Sequence, residues 1–158
     1  MAGNATSDWT LPVQFYFRVD FQRGKEHFQA SFLEVNGLNM QLQTKKKSND
    51  EMTRIQVPNG LSHGNVTLKR PLMPLSDKFT EWINGCFTYI EKSPREIKSF
   101  DMVIKLLNKD GKPLAGWLCS HAYPIQWNLD SLDSMKSELS KESIVMTCNR
   151  LKRITNIR

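Results

Sequence analysis

Apolar and polar positions alternate strictly over residues 13–21: Val13, Phe15, Phe17, Val19 and Phe21 fall on one side, and Gln14, Arg18 and Asp20 on the other. A period of two marks a half-buried strand. Gln22-Arg23-Gly24-Lys25 has turn chemistry, and residues 27–35 repeat the alternation with Phe28, Ala30 and Phe32 inward, which predicts a hairpin ended by Asn36-Gly37. Residues 38–58 alternate at Leu38, Met40 and Leu42, cross the polar run from Thr44 through Lys45, Lys46 and Lys47 to Asp50, and resume at Met52. This pattern predicts a long exposed hairpin with a basic tip. Pro58-Asn59-Gly60 and His63-Gly64 bracket a predicted turn region, followed by a short strand over residues 65–70.

The period then changes. Ser76-Asp77 offers an N-cap, and Phe79, Trp82, Ile83, Cys86, Phe87 and Ile90 recur at helical spacing until Ser93-Pro94 stops the run. Residues 100–107, the turn Asn108-Lys109-Asp110-Gly111 and residues 114–119 predict another hairpin. Residues 122–127 form an aromatic extended segment whose Pro124 suits an edge or a bulge. Residues 128–140 read as a Ser- and Asp-rich loop, and residues 142–151 as a last strand with Ile144, Met146 and Cys148 alternating. Some eight strands and one helix predict a mainly β chain: an antiparallel sandwich or barrel with a flanking helix. Residues 1–10 read as a flexible tail and 11–158 as one domain.

Composition adds limits. The 158 residues are 39% hydrophobic and 24% charged, which excludes collagenous and wholly disordered classes. Twenty-two Lys and Arg against sixteen Asp and Glu give +6, suited to a polyanion, a membrane surface or an acidic protein. No apolar run reaches the length of a membrane span, and the first residues lack the pattern of a signal peptide, so no membrane insertion is expected. Cys86, Cys119 and Cys148 are widely spaced and read as small apolar residues in a reducing compartment.

Catalytic chemistry finds little support in the sequence. His27, His63 and His121 sit in separate segments without the spacing of a metal site, so no metal or cofactor is expected. Cys119 and His121 share a side of an extended segment, the nearest approach to a nucleophile and base, but no orienting carboxylate accompanies them. The segment 60–64 lacks the Lys and helix start of a phosphate loop, and Asn65-Val66-Thr67 matches a glycosylation acceptor in a chain without a secretory signal. A basic β-barrel that binds nucleic acid is the rival from another class, with Lys45, Lys46 and Lys47 beside Phe15, Tyr16 and Phe17; however, only Tyr16 points away from the apolar side.

The order of motifs is more specific than any one of them. Residues 12–19 (PVQFYFRV), 32–38 (FLEVNGL), 64–70 (GNVTLKR), Trp82, 106–113 (LLNKDGKP) and 121–127 (HAYPIQW) together resemble the inner-tube proteins of contractile phage tails and of extracellular contractile injection systems, over roughly residues 11–154. Pro71 stands where many relatives carry Gly, and His121 where Asn is usual. The resemblance implies a non-enzymatic subunit assembling as hexameric rings, stacked into a hollow tube inside a sheath, made in the bacterial cytoplasm and carried in a virion or injection particle. It implies as partners further copies of the chain, a sheath protein, baseplate hub and spike proteins, and cargo in the lumen. A tube-initiating baseplate adaptor of the same fold is the variant reading. Leu38, Met40, Leu42, Lys45, Lys46 and Lys47 are the expected ring-stacking residues, with the lysines meeting Asp130, Asp133 or Glu138 of a neighbour.

Overall fold

The alternation at the start of the chain is realised as strand β1 (Phe15–Arg23), which turns at Gly24 into β2 (Glu26–Phe32) in register from Arg23 opposite Glu26 to Phe17 opposite Phe32. The computed structural model describes residues 15–50, 53–74, 76–135 and 140–155; the expected tail over residues 1–10 lies outside them. Ten strands and one α-helix are present among the described residues.

The second predicted strand is two strands. The chain bends at Leu33, whose N–H donates to the Lys69 carbonyl (2.9 Å), so β3 (Glu34–Asn36) leaves β1 and pairs with β6 (Val66–Pro71). Gly37 follows with φ +88°, and a Cβ there would collide with the Asn65 carbonyl oxygen. Only glycine fits both demands. The long hairpin is β4 (Met40–Asp50) and β5 (Thr53–His63). Residues 58–63 are therefore strand rather than turn: Leu42 faces Leu61 and Thr44 faces Pro58, and the extra residues Asn59 and Gly60 form a bulge.

Asp77 caps helix α1 (Lys78–Phe87), its Oδ2 accepting from the Thr80 N–H at 3.1 Å. The helix is shorter than the spacing predicts. A single 3-10 turn (Tyr89–Glu91) follows, leaving Phe87 and Ile90 exposed. The hairpin of β7 (Phe100–Asn108) and β8 (Pro113–Leu129) closes on Asn108, whose Oδ1 accepts from the N–H groups of Asp110 and Lys112. β9 (Lys141–Thr147) and β10 (Arg150–Ile154) replace the single last strand, because the chain turns a corner at Cys148-Asn149.

β8 organises the molecule. Its first half pairs with β7 and β10 and its second half with β9, so one 17-residue strand belongs to two layers: β2-β1-β7-β8-β10 and β8-β9-β6-β3. The switch occurs where Phe100 faces Ala122 and Met102 faces Cys119, leaving Ser120 and His121 opposite Asp101. His121 takes φ +52°, and its N–H donates to Asp101 Oδ1 at 2.9 Å. Such bulges are how strands turn corners between sheets. A second irregularity sits at Ile125, beside Pro124, as the sequence suggests for that proline.

The core lies between the layers and under α1. Val19, Phe21, Met102, Ile104, Cys119 and Leu151 come from one layer, and Val66, Leu68, Ile144 and Met146 from the other. The helix contributes Phe79, Trp82, Ile83 and Cys86. Its aromatic contacts include Phe21 with Phe79 (5.1 Å between ring centres) and Trp82 with Phe100 (4.9 Å), in the tilted and edge-on geometries that aromatic pairs prefer. The Trp82 indole N–H donates to the Lys98 carbonyl at 2.7 Å.

Candidate assembly surfaces

Two features of the surface exceed what a self-sufficient domain needs. The first is the β4–β5 ribbon, which forms its own two-stranded sheet apart from the main one. Residues 40–47 are exposed throughout, and so are Ile55 and Leu61 on the facing strand. A lone two-stranded ribbon is marginal in water. Its root is fastened by His63, whose Nδ1 lies 3.0 Å from the Gly64 carbonyl oxygen and Nε2 3.4 Å from that of Asn149.

The expected stacking residues do not form one group. Leu38 precedes the ribbon and packs half-buried against the core. Met40 and Leu42 are exposed on β4 beside Leu61. The three lysines are not at the tip but within β4, where Lys45 faces Val57, Lys46 faces Gln56 and Lys47 faces Ile55. Strand alternation therefore puts Lys45 and Lys47 on one face and Lys46 on the other. Residues 51 and 52, between the two strands in sequence, lie outside the described residues, as does Glu138. Asp130 and Asp133 are exposed in the loop after β8.

The second feature is the sheet's open edges. β2 and β10 end the same layer, and neither has a partner on its outer side among the described strands. A cavity of about 600 Å³ opens beside β2, lined by Tyr16, Gln29, Leu33, Pro71 and Met73. Unpaired edges and exposed apolar side chains are liabilities in a monomer and attachment points in an assembly.

Sequence reasoning missed the most elaborate polar cluster. Arg70 is buried at the end of the inward row of Val66 and Leu68. Its Nε donates to Glu142 Oε1 (2.8 Å), and its Nη2 to Asp77 Oδ2 (2.6 Å) and Thr80 Oγ1 (2.9 Å). The guanidinium stacks over Phe79 at 4.6 Å from the ring centre, and the Trp127 indole N–H donates to Glu142 Oε2 at 3.1 Å. One side chain thus joins β6, β9 and the helix cap, and the cluster is structural. Burial opposes the charge of Asp77, but Arg70 and Thr80 together bring its carboxyl below the ordinary 3.8. The available signal was parity: Arg70 and Glu142 continue the inward alternations of two neighbouring strands.

The nearest approach to a nucleophile and base dissolves. Cys119 is fully buried while His121 is exposed, because the left-handed residue at 121 breaks the alternation. Burial pushes the Cys86 thiol up to about 11. No group of three His, Cys, Asp or Glu suited to a metal occurs among the described residues. Nor is an aromatic platform for bases formed by Phe17, which packs against the core.

Comparison with known proteins decides the family. The model of the T4-like virus tail tube protein gp19 family matches residues 13–152. The chain belongs to that family. Chains of solved contractile injection particles share the fold. A chain of the anti-feeding prophage baseplate aligns at TM-score 0.71 and 20% identity, covering 90% of this chain and 94% of its own. A chain of the sheath-tube complex of the extracellular contractile injection system PVC, in its extended state, gives 0.69 and 20%, covering 94% and 95%. The tube-terminating cap of the anti-feeding prophage gives 0.71 and 23%, covering 99% and 100%. No curated protein sequence matches the chain significantly.

Proposed function

We propose that this tail tube protein is a non-enzymatic subunit that closes into hexameric rings, which stack into the hollow inner tube of a contractile injection particle. Sheath contraction then drives the tube through a target envelope, and the lumen serves as the conduit for cargo. Assembly takes place in the bacterial cytoplasm, before the particle acts outside or at a membrane. The observation that carries this reading is the β4–β5 ribbon: eleven residues in each strand, exposed apolar groups along it, and no strand of the main sheet paired with it among the described residues. A second copy supplies its cover.

In this arrangement, β2 of one subunit meets β10 of the next, so the layer continues round the ring by strand addition. The ribbon reaches the adjacent ring, with Met40 and Leu42 in an apolar contact. Lys45 and Lys47 face Asp130 and Asp133 of a neighbour. A head-to-tail contact along the axis, repeated without closure, generates a filament.

Negative-stain electron microscopy of the purified protein over a concentration series tests the proposal. Stacked rings or hollow tubes are the expected result. A monodisperse monomer at every concentration overturns it as a main-tube subunit. A terminal position in the tube, which the likeness to the tube-terminating cap favours as the second reading, predicts single rings without stacking.

A further inference from the structure

Two cysteines that the sequence gives no reason to pair meet inside the fold. Cys119 is an inward residue of β8, opposite Leu151, and fully buried. Cys148 lies at the corner between β9 and β10 and packs half-buried against the same core. The Asn149 N–H donates to the Ser120 carbonyl at 2.9 Å, pinning that corner onto β8 and bringing Cys148 over Cys119. The corner thus sets both side chains against the same part of the core.

Their surroundings make them unequal. Cys148 is only half-buried, next to Asn149, whose carbonyl oxygen lies 3.4 Å from His63 Nε2, whereas Cys119 is sealed from solvent. Both His63 nitrogens face carbonyl oxygens, and only the imidazolium carries a proton for each. The hydrogen bond from Cys119 chiefly, against the cost of burial and with the help of His63 and the Arg150 N–H, lowers Cys148 to about 7. That same contact, together with burial, raises Cys119. A partly exposed thiolate backed by a buried thiol is the arrangement of an oxidation-sensitive pair.

We propose that Cys148 and Cys119 form an oxidative modification site, with Cys148 as the attacking thiolate, Cys119 as the resolving thiol and a peroxide as the oxidant. The Cys148 sulfur attacks one peroxide oxygen: an S–O bond forms, the O–O bond breaks, and the departing hydroxide is protonated to water. The Cys119 sulfur then attacks the Cys148 sulfenic acid. An S–S bond forms, the S–O bond breaks, and the second hydroxide leaves as water with the Cys119 proton. Two electrons pass from the two sulfurs to the peroxide, so two thiols and one hydrogen peroxide give one disulfide and two waters. The bridge fastens the β9–β10 corner to β8, beside the root of the ribbon.

The test is hydrogen peroxide treatment of the full-length protein at neutral pH, followed by alkylation under denaturing conditions and peptide mass spectrometry. Of the three free thiols, Cys86 alone remains alkylated, a Cys119–Cys148 linked peptide appears, and a thiol reductant reverses both changes. The oxidised chain melts several degrees higher. In Cys119→Ala, which also removes the chief support of the Cys148 thiolate, the reaction is slower and stops at a Cys148 sulfenic acid trapped by dimedone, and His63→Gln raises the pH midpoint for alkylation of Cys148. Full alkylation of all three thiols, prior loss of Cys86, or a disulfide joining two chains overturns the proposal. The linked peptide is read from the unsubstituted protein, so the outcome does not depend on either variant folding.

Discussion

Arg70 carries a full charge into the core, and its worth lies in what its loss would leave behind. Glu142 is as buried as Arg70, so Arg70→Ala strands a carboxylate and also removes a ligand of the helix cap. Breaking a buried pair from one side costs about 3–5 kcal/mol, to be read from urea denaturation. Arg70→Lys should recover only part, since one ammonium cannot reproduce both the fork to Glu142 and Asp77 and the stacking on Phe79. The same cluster sets an acid limit. Asp77 has a folded value below 3.8, so its contribution is present above that pH and lost as pH falls through the folded value. Asp77→Asn should flatten the loss of stability below about pH 4 in acid titrations followed by circular dichroism. None of this was legible from residue type, because arginine and glutamate ordinarily read as solvent-facing. Asp77 as a cap was legible, since a cap depends on local order alone.

Element boundaries were missed where the backbone changes direction and the alternation slips by a single residue, a signal too short to read as a new strand. Phe28, Ala30 and Phe32 alternate, but Leu33 and Val35 then fall on the other parity, where the chain bends and changes partner. Parity slips likewise at His121, between buried Cys119 and Ala122, and at Cys148-Asn149, between Met146 and Leu151. His121 holds φ +52°, a region that β-branched residues resist and Asn tolerates. His121→Val should therefore cost about 1–2 kcal/mol, whereas His121→Asn should be neutral or better, by the same denaturation assay. The ribbon shows the opposite case: its length and exposure were legible, but the placement of its lysines was not, since the bulge at Asn59-Gly60 lets β5 run on through an apparent turn. Limited proteolysis should cut the ribbon in free subunits and spare it in tubes. Reversing Lys45 and Lys47 together should weaken assembly more than reversing Lys46, measured by sedimentation; indifference to both changes removes the acidic partner.

At the scale of the whole molecule, the order of motifs conveyed the family, while the sheet order β2-β1-β7-β8-β9-β6-β3 was not recoverable from periodicity. Which strand lies beside which is decided by corners and bulges. Contacts between subunits stabilise only what is assembled, so the melting temperature should rise with protein concentration in scanning calorimetry. A constant value across a hundredfold range would mean that the ribbon and open edges contribute nothing. β8 has a mechanical consequence as well. Because one continuous backbone of 17 residues runs through both layers, the layers cannot shear past each other without extending covalent chain. A sandwich joined only by side-chain packing creeps under load; this one passes thrust from layer to layer along a single strand, as a rivet does through two plates.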